Sequence, residues 1–209
     1  MGLFNINLIG AFIFSLVLIA ILSKRPSLHK FELELWKIPF VAHIIICLTA
    51  VVFFFVYAFK LSDYWVFSIV NNTLIDGALL WIHEAGHIYW SWGGRFMTIL
   101  GGTLNEIVFT LGPAAYCFFR DYKLTFCMFL YFFAFSLIGI SRYAGDAQAR
   151  QLPLLGGDSS GHDWYNMLEM IGLLKYDQIV SWGIYSFGIL TLLMGSGYFF
   201  IQIHRFAKR

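Results

Sequence analysis

The sequence predicts an all-α integral membrane protein, a polytopic bundle of about six transmembrane helices, and three observations predict it. The first is polarity: of 209 residues 59% are hydrophobic and 12% charged, roughly half the charge of soluble domains. The second is length, because several apolar runs reach the ~20 residues a helix needs to cross ~30 Å of hydrocarbon. The third is aromatic content, 20% of the chain, more than a single soluble core of this size can hide. Mean hydropathy is +0.72.

The expected spans lie at about 5–23, 38–59, 73–92, 96–118, 123–141 and 179–203, in a single membrane domain 1–209 with a polar connection at 142–178. The first run, Leu8 to Leu22, follows a segment without Lys or Arg and ends at Ser23-Lys24-Arg25 with no small-x-small site. It reads as a retained span, not a cleaved signal. Phe31-Glu32-Leu33-Glu34-Leu35-Trp36 alternates apolar and polar residues, a period that predicts a short strand or an interfacial segment. Residues Trp164 to Leu174 read as a short amphipathic helix capped by Ser160 or Asp163. With the N-terminus outside, eight Lys and Arg fall on the cytoplasmic side against six opposite, a slim margin by the positive-inside rule.

A net charge of +2, with no basic aromatic patch, gives no footing for nucleic acid. Cys47, Cys117 and Cys127 lie in apolar stretches and form no CxxC pair. They are read as packing residues, neither disulfide partners nor thiolate ligands.

Chemistry concentrates in the third and fourth spans. Asp76, His83, Glu84 and His87 interrupt one, and Asn105 and Glu106 the other. Ionisable groups at a bilayer centre cost at least ~2.5 kcal/mol each and face a protein interior or a wet cavity, so the two spans are expected to share one. His83 and His87 are four residues apart, hence on one face of a helix about a turn apart. Two imidazoles so placed can hold Zn2+ at ~2.0–2.1 Å, and Glu84 between them can take a proton from a water the metal polarises. This is the HExxH pattern of zinc metallopeptidases.

A hydrolytic zinc needs a third protein ligand and keeps its fourth position for water. Asp146 in Tyr143-Ala144-Gly145-Asp146-Ala147 and His162 in Gly161-His162-Asp163-Trp164 rank level for that place, with Glu106 third. The alternatives are that Asp146 and Asp163 cap helices and that Glu106 pairs with an Arg. The histidines themselves can also be read as a hydrogen-bonded polar cluster gluing helices, or as haem ligands. Gly86, Gly93-Gly94 and Gly101-Gly102 can let backbones approach closely, Asn105 fits an interhelical hydrogen bond, and Trp164 an interfacial anchor.

The His83-Glu84-Ala85-Gly86-His87 helix in a multispan hydrophobic chain resembles the site-2-protease-like integral membrane zinc metallopeptidases. That resemblance implies His83, His87 and a later aspartate as ligands, with Glu84 as base. Asp146 is the nearest counterpart of the aspartate, although YAGDA lacks the proline of the family's Asp-Gly motif. The ordered series HEAGH, LGGT, YAGDA, LPLLGG and HDW over residues 83–164 is similar to a subgroup of bacterial membrane proteins, which implies the bacterial inner membrane and no particular substrate.

The expected function is therefore intramembrane zinc proteolysis of membrane or membrane-proximal peptide substrates. Two alternatives stand beside it: a non-catalytic zinc-binding subunit whose partners are other membrane subunits, and a zinc hydrolase acting on lipid.

Overall fold

The computed structural model describes residues 25–37, 74–152 and 161–207, with isolated positions at 39–48 and 154. Among these residues all regular structure is helical. In chain order the helices are α1 (Arg25–Trp36), α2 (Leu74–Tyr89), α3 (Gly94–Phe119), α4 (Lys123–Gly145), α5 (Asp163–Met170) and α6 (Asp177–Ala207), with 3-10 turns at Ser91–Gly93 and Leu174–Tyr176.

Helices α2 and α3 form an antiparallel hairpin about the Ser91–Gly93 turn. Gly94, at φ +82°, starts α3 from a backbone conformation that glycine adopts without strain. The pair meets backbone to backbone: a Cβ at Gly101 would lie 2.5 Å from the Gly86 carbonyl oxygen, and one at Gly86 would fall on the Gly101 carbonyl. Asn105 Nδ2 donates to the Ile82 carbonyl at 2.6 Å, the interhelical bond anticipated for it.

Helices α4 and α6 are also antiparallel and share the most extensive contact surface in the fold. Gln178 Nε2 donates to Gly145 O, Ser181 Oγ to Ser141 O, and Tyr131 OH to Ser196 Oγ. Ala134, Phe135, Ile138 and Leu192 fill the space between. A second apolar cluster, Ile140, Ala144, Ala147, Trp164, Met167 and Leu168, seats the short α5 on the end of α4, with Phe96, Ile99 and Leu100 of α3 against it.

Among the described residues two stretches are long and apolar enough to cross a membrane: α4, and the segment Leu174–Arg205 that contains α6. Along α6, Ile179, Trp182, Leu190, Leu193, Met194 and Phe200 are exposed. The described part of α2, 16 residues, is about 24 Å long. Helix α3 has the length, but its glycines and threonines, with Asn105 and Glu106, dilute its hydropathy. The expected span 5–23 and most of 38–59 lie outside the described residues.

Three local expectations change. Residues 31–36 are helical, not extended. Their alternation reflects what Glu32 does: it is buried and accepts from Leu124 N (2.9 Å), Thr125 N (3.0 Å), Thr125 Oγ1 (2.6 Å) and Trp36 Nε1 (3.2 Å). A carboxylate thus caps the start of α4 from 92 residues away, satisfying amide groups that a helix N-terminus leaves unpaired. The cap of α5 is His162, whose side chain accepts from Tyr165 N. Trp164 is buried in the core beneath α5, so it is no interfacial anchor. Cys117 and Cys127 are buried in packed clusters, as expected, and Cys47 lies outside the described residues.

Two substitutions test this account. Glu32→Ala leaves two amide groups of α4 and the Thr125 hydroxyl unpaired, and should lower stability by about 1–3 kcal/mol, read as a lower Tm in detergent. Gly86→Ala should lower the Tm as well, because its methyl meets the Gly101 backbone, whereas Gly77→Ala in the same helix meets nothing within 4 Å and should hold or raise it.

Candidate metal centre

The hairpin places both histidines of the motif against α3. His83 Nδ1 lies 2.7 Å from Glu106 Oε1, and His87 Nδ1 lies 2.8 Å from the Thr98 carbonyl oxygen. Thr98 O is only an acceptor, so His87 Nδ1 carries the proton. Ionised Glu106 imposes the same on His83. Glu106 is held in turn by Ser136 Oγ of α4 at 3.1 Å. Gly102 makes room for the His83 ring, since a Cβ there would fall on it.

With Nδ1 protonated, each neutral ring turns a lone pair outward at Nε2. Both lone pairs point to one oxygen. Asp163 Oδ2, at the first turn of α5, is 3.0 Å from His83 Nε2 and 3.3 Å from His87 Nε2. The three atoms lie within 4.8 Å of one another, and His83, His87 and Asp163 are the one such group of three found among the described residues. Three acceptors converging in a largely buried site repel unless positive charge lies between them. Two imidazolium protons would supply it, but the rings are 4.9 Å apart and two like charges there oppose each other. A proton on one ring would supply it, and so would one divalent cation with both rings neutral.

Asp163 is suited to meet positive charge. Burial alone would raise its pKa, but positive charge on the His83 and His87 side, whenever it is present, outweighs burial and holds the carboxyl at about 2. The Tyr143 hydroxyl accepts from Asp163 N at 3.0 Å and faces Asp163 Oδ2 at 3.4 Å.

The third-ligand assignment therefore shifts along the chain. Asp146 and His162, the level candidates, do not join the histidine pair; they bind each other, His162 Nε2 to Asp146 Oδ2 at 3.2 Å. His162 has no lone pair to spare, because its Nδ1 accepts from Tyr165 N at 3.2 Å and its Nε2 proton is given to Asp146. Burial pushes its pKa below the ordinary value against the pull of Asp146, consistent with a neutral ring. Asp146 is committed too, accepting from Gln151 N (3.0 Å) and Leu152 N (2.9 Å). Glu106 is neither a ligand of this cluster nor an Arg partner: it orients His83 from behind.

Glu84 is half-buried, and it makes no hydrogen bond among the described residues. The sequence reading missed Asp163 as a convergent group. Adjacent His162 and Asp163 can each cap a helix, and the aspartate was assigned that task.

No protein-family model, curated protein or solved structure matches this chain. The site's own geometry has to carry the functional argument.

If both ring tautomers are fixed as described, Glu106→Ala should free His83 to rotate and weaken binding of a divalent cation by about 10–100-fold. Competition against a metal-buffering dye measures this, and unchanged affinity would remove Glu106 from the orienting role.

Proposed function

We propose that this chain is an integral membrane zinc hydrolase that cleaves peptide bonds of membrane or membrane-proximal substrates. In this reading His83, His87 and Asp163 hold the ion and Glu84 is the base. One observation carries it: three lone-pair atoms converge, with both imidazoles already donating their Nδ1 protons elsewhere. The donor set fits zinc. Two imidazoles and a carboxylate are ligand types that zinc takes, and their three atoms lie within 4.8 Å of one another. Each histidine also has the buried partner behind it that metal-bound imidazoles regularly have.

Three protein ligands leave a fourth position, the arrangement of hydrolytic rather than structural zinc. Bound there, zinc would bring the pKa of a water to about 7. Glu84, next to His83 and making no hydrogen bond among the described residues, would serve as the base that accepts a proton from the attacking water and returns it to the leaving amine. The Tyr143 hydroxyl keeps Asp163 in place while it does so. The bilayer placement rests on α4, α6 and the apolar runs, and six spans in a bacterial inner membrane extend that placement. A non-catalytic zinc-binding subunit is the second reading, favoured by one feature: Asp163 ties α5 to α2, so an ion there also fastens the two helices.

Elemental analysis of the purified protein should find about one zinc per chain, lost in His83→Ala. Glu84→Gln should keep the zinc and lower cleavage of transmembrane peptides by about 10²–10⁴-fold. Undiminished cleavage by that variant would remove Glu84 from the mechanism. Zinc present with no cleavage by the wild type would select the non-catalytic reading.

A further inference from the structure

Tyr143, His162 and Asp146 are buried or half-buried polar residues that the proposed chemistry does not consume. We propose that they act together as positioning residues that set metal affinity by fixing Asp163, so that seating α5 and loading the ion are one linked equilibrium. The inference rests on the metal reading above and assigns these residues a task within it.

Asp163 comes from a different part of the chain than the histidines. His83 and His87 are referenced to α3 through Glu106 and Thr98. Asp163 is referenced to α4 and the turn that follows it. It opens an eight-residue helix, too short to persist on its own, so its place depends on what holds the helix start.

Two grips do so. The fully buried His162 accepts from Tyr165 N, which fixes its remaining proton on Nε2, where Asp146 takes it. Asp146 is anchored by Gln151 N and Leu152 N of the turn after α4. Tyr143, in the last turn of α4, lies with its ring 4.4 Å from the His162 ring and its hydroxyl on the Asp163 amide at 3.0 Å. One grip sets the backbone of residue 163 and the other the cap behind it. Loosening either lets the third ligand leave while the histidine pair stays. By linkage, an ion that needs Asp163 then stabilises the seated α5 by the same factor that seating favours the ion.

The experiment uses the full chain purified in detergent, with zinc affinity read by chelator competition and coordination geometry by the visible spectrum of cobalt(II) in the same site. His162→Ala should weaken zinc by about 10–100-fold and alter the cobalt spectrum. His162→Asn, which caps a helix as well as any residue, should recover most of the loss. Tyr143→Phe, which keeps the ring, should weaken zinc in the same direction. Because Asp146 acts through His162, the double variant Asp146→Asn/His162→Ala should be no worse than His162→Ala alone. Glu32→Ala, remote from the centre, should lower the Tm and leave zinc affinity unchanged, which separates affinity from general stability.

If His83→Ala abolishes zinc binding while His162→Ala and Tyr143→Phe stay within about two-fold of wild type, the clamp is overturned and the centre stands. If the wild type holds no zinc, or holds it equally after His83→Ala, the centre fails and the clamp with it. Should His162→Ala not yield folded protein, Tyr143→Phe decides alone.

Discussion

The donation of two imidazole protons backward into α3 is the constraint on which the site depends. Glu106 and the Thr98 carbonyl each take an Nδ1 hydrogen, which settles the tautomer of both rings and the direction of both remaining lone pairs. Everything nearby follows from making that donation possible. Helix α3 must pass within contact of α2, so glycine stands at 86 and 101 where the backbones touch. The His83 ring must lie over α3, so glycine stands at 102. An acid then arrives from a third element, since Glu106 of α3 is spent on orienting His83.

The fold separates two kinds of helix. Helices α4 and α6 are apolar and carry the shared core, while α2 and α3 bring ionisable groups that would be expensive in apolar surroundings without partners. Of those groups, His83, His87 and Glu106 have partners close by. Elsewhere the chain also uses buried carboxylates to finish helix ends: Glu32 on the start of α4, and Asp177, which accepts from Gln148 and from Gln178 N. In both cases the charge meets neutral donors. Only at Asp163 does a carboxylate meet two lone pairs, and that contrast singles out the centre chemically.

The helical class, the two most apolar helices and the shared polar face of α2 and α3 were legible in the sequence. Hydropathy and the four-residue histidine spacing report on the local chain, and local chain geometry suffices for them. The strand-like alternation at 31–36 misled because an acid shares the inward face of α1 with Leu35 and Trp36: Glu32 is buried for its hydrogen bonds, and a pattern of apolar residues does not register a buried acid. The third convergent group was misassigned for a related reason. Asp146, His162 and Asp163 are all polar residues near helix ends, and which of them caps, which braces and which turns toward the histidines depends on how the connection folds back. Glu106 shows the same limit: its distance from His87 in sequence suggested a ligand, but its carboxylate meets His83 Nδ1, the ring nitrogen opposite the one that faces Asp163.

The glycine contact between α2 and α3 has a consequence for recognition. Where Gly86 and Gly101 meet, backbone touches backbone, and the His83 ring lies over Gly102 with Glu106 holding its Nδ1. Under the proposed metal reading, two of the three donors would then be held by α3 before any ion arrives, and capture would require ordering only the third. A rigid pair of nitrogens also imposes a fixed bite, so an ion of the wrong radius must either strain the hairpin or sit off-centre. Discrimination among cations would then be written into the spacing of two helix backbones, not into the choice of ligand atoms.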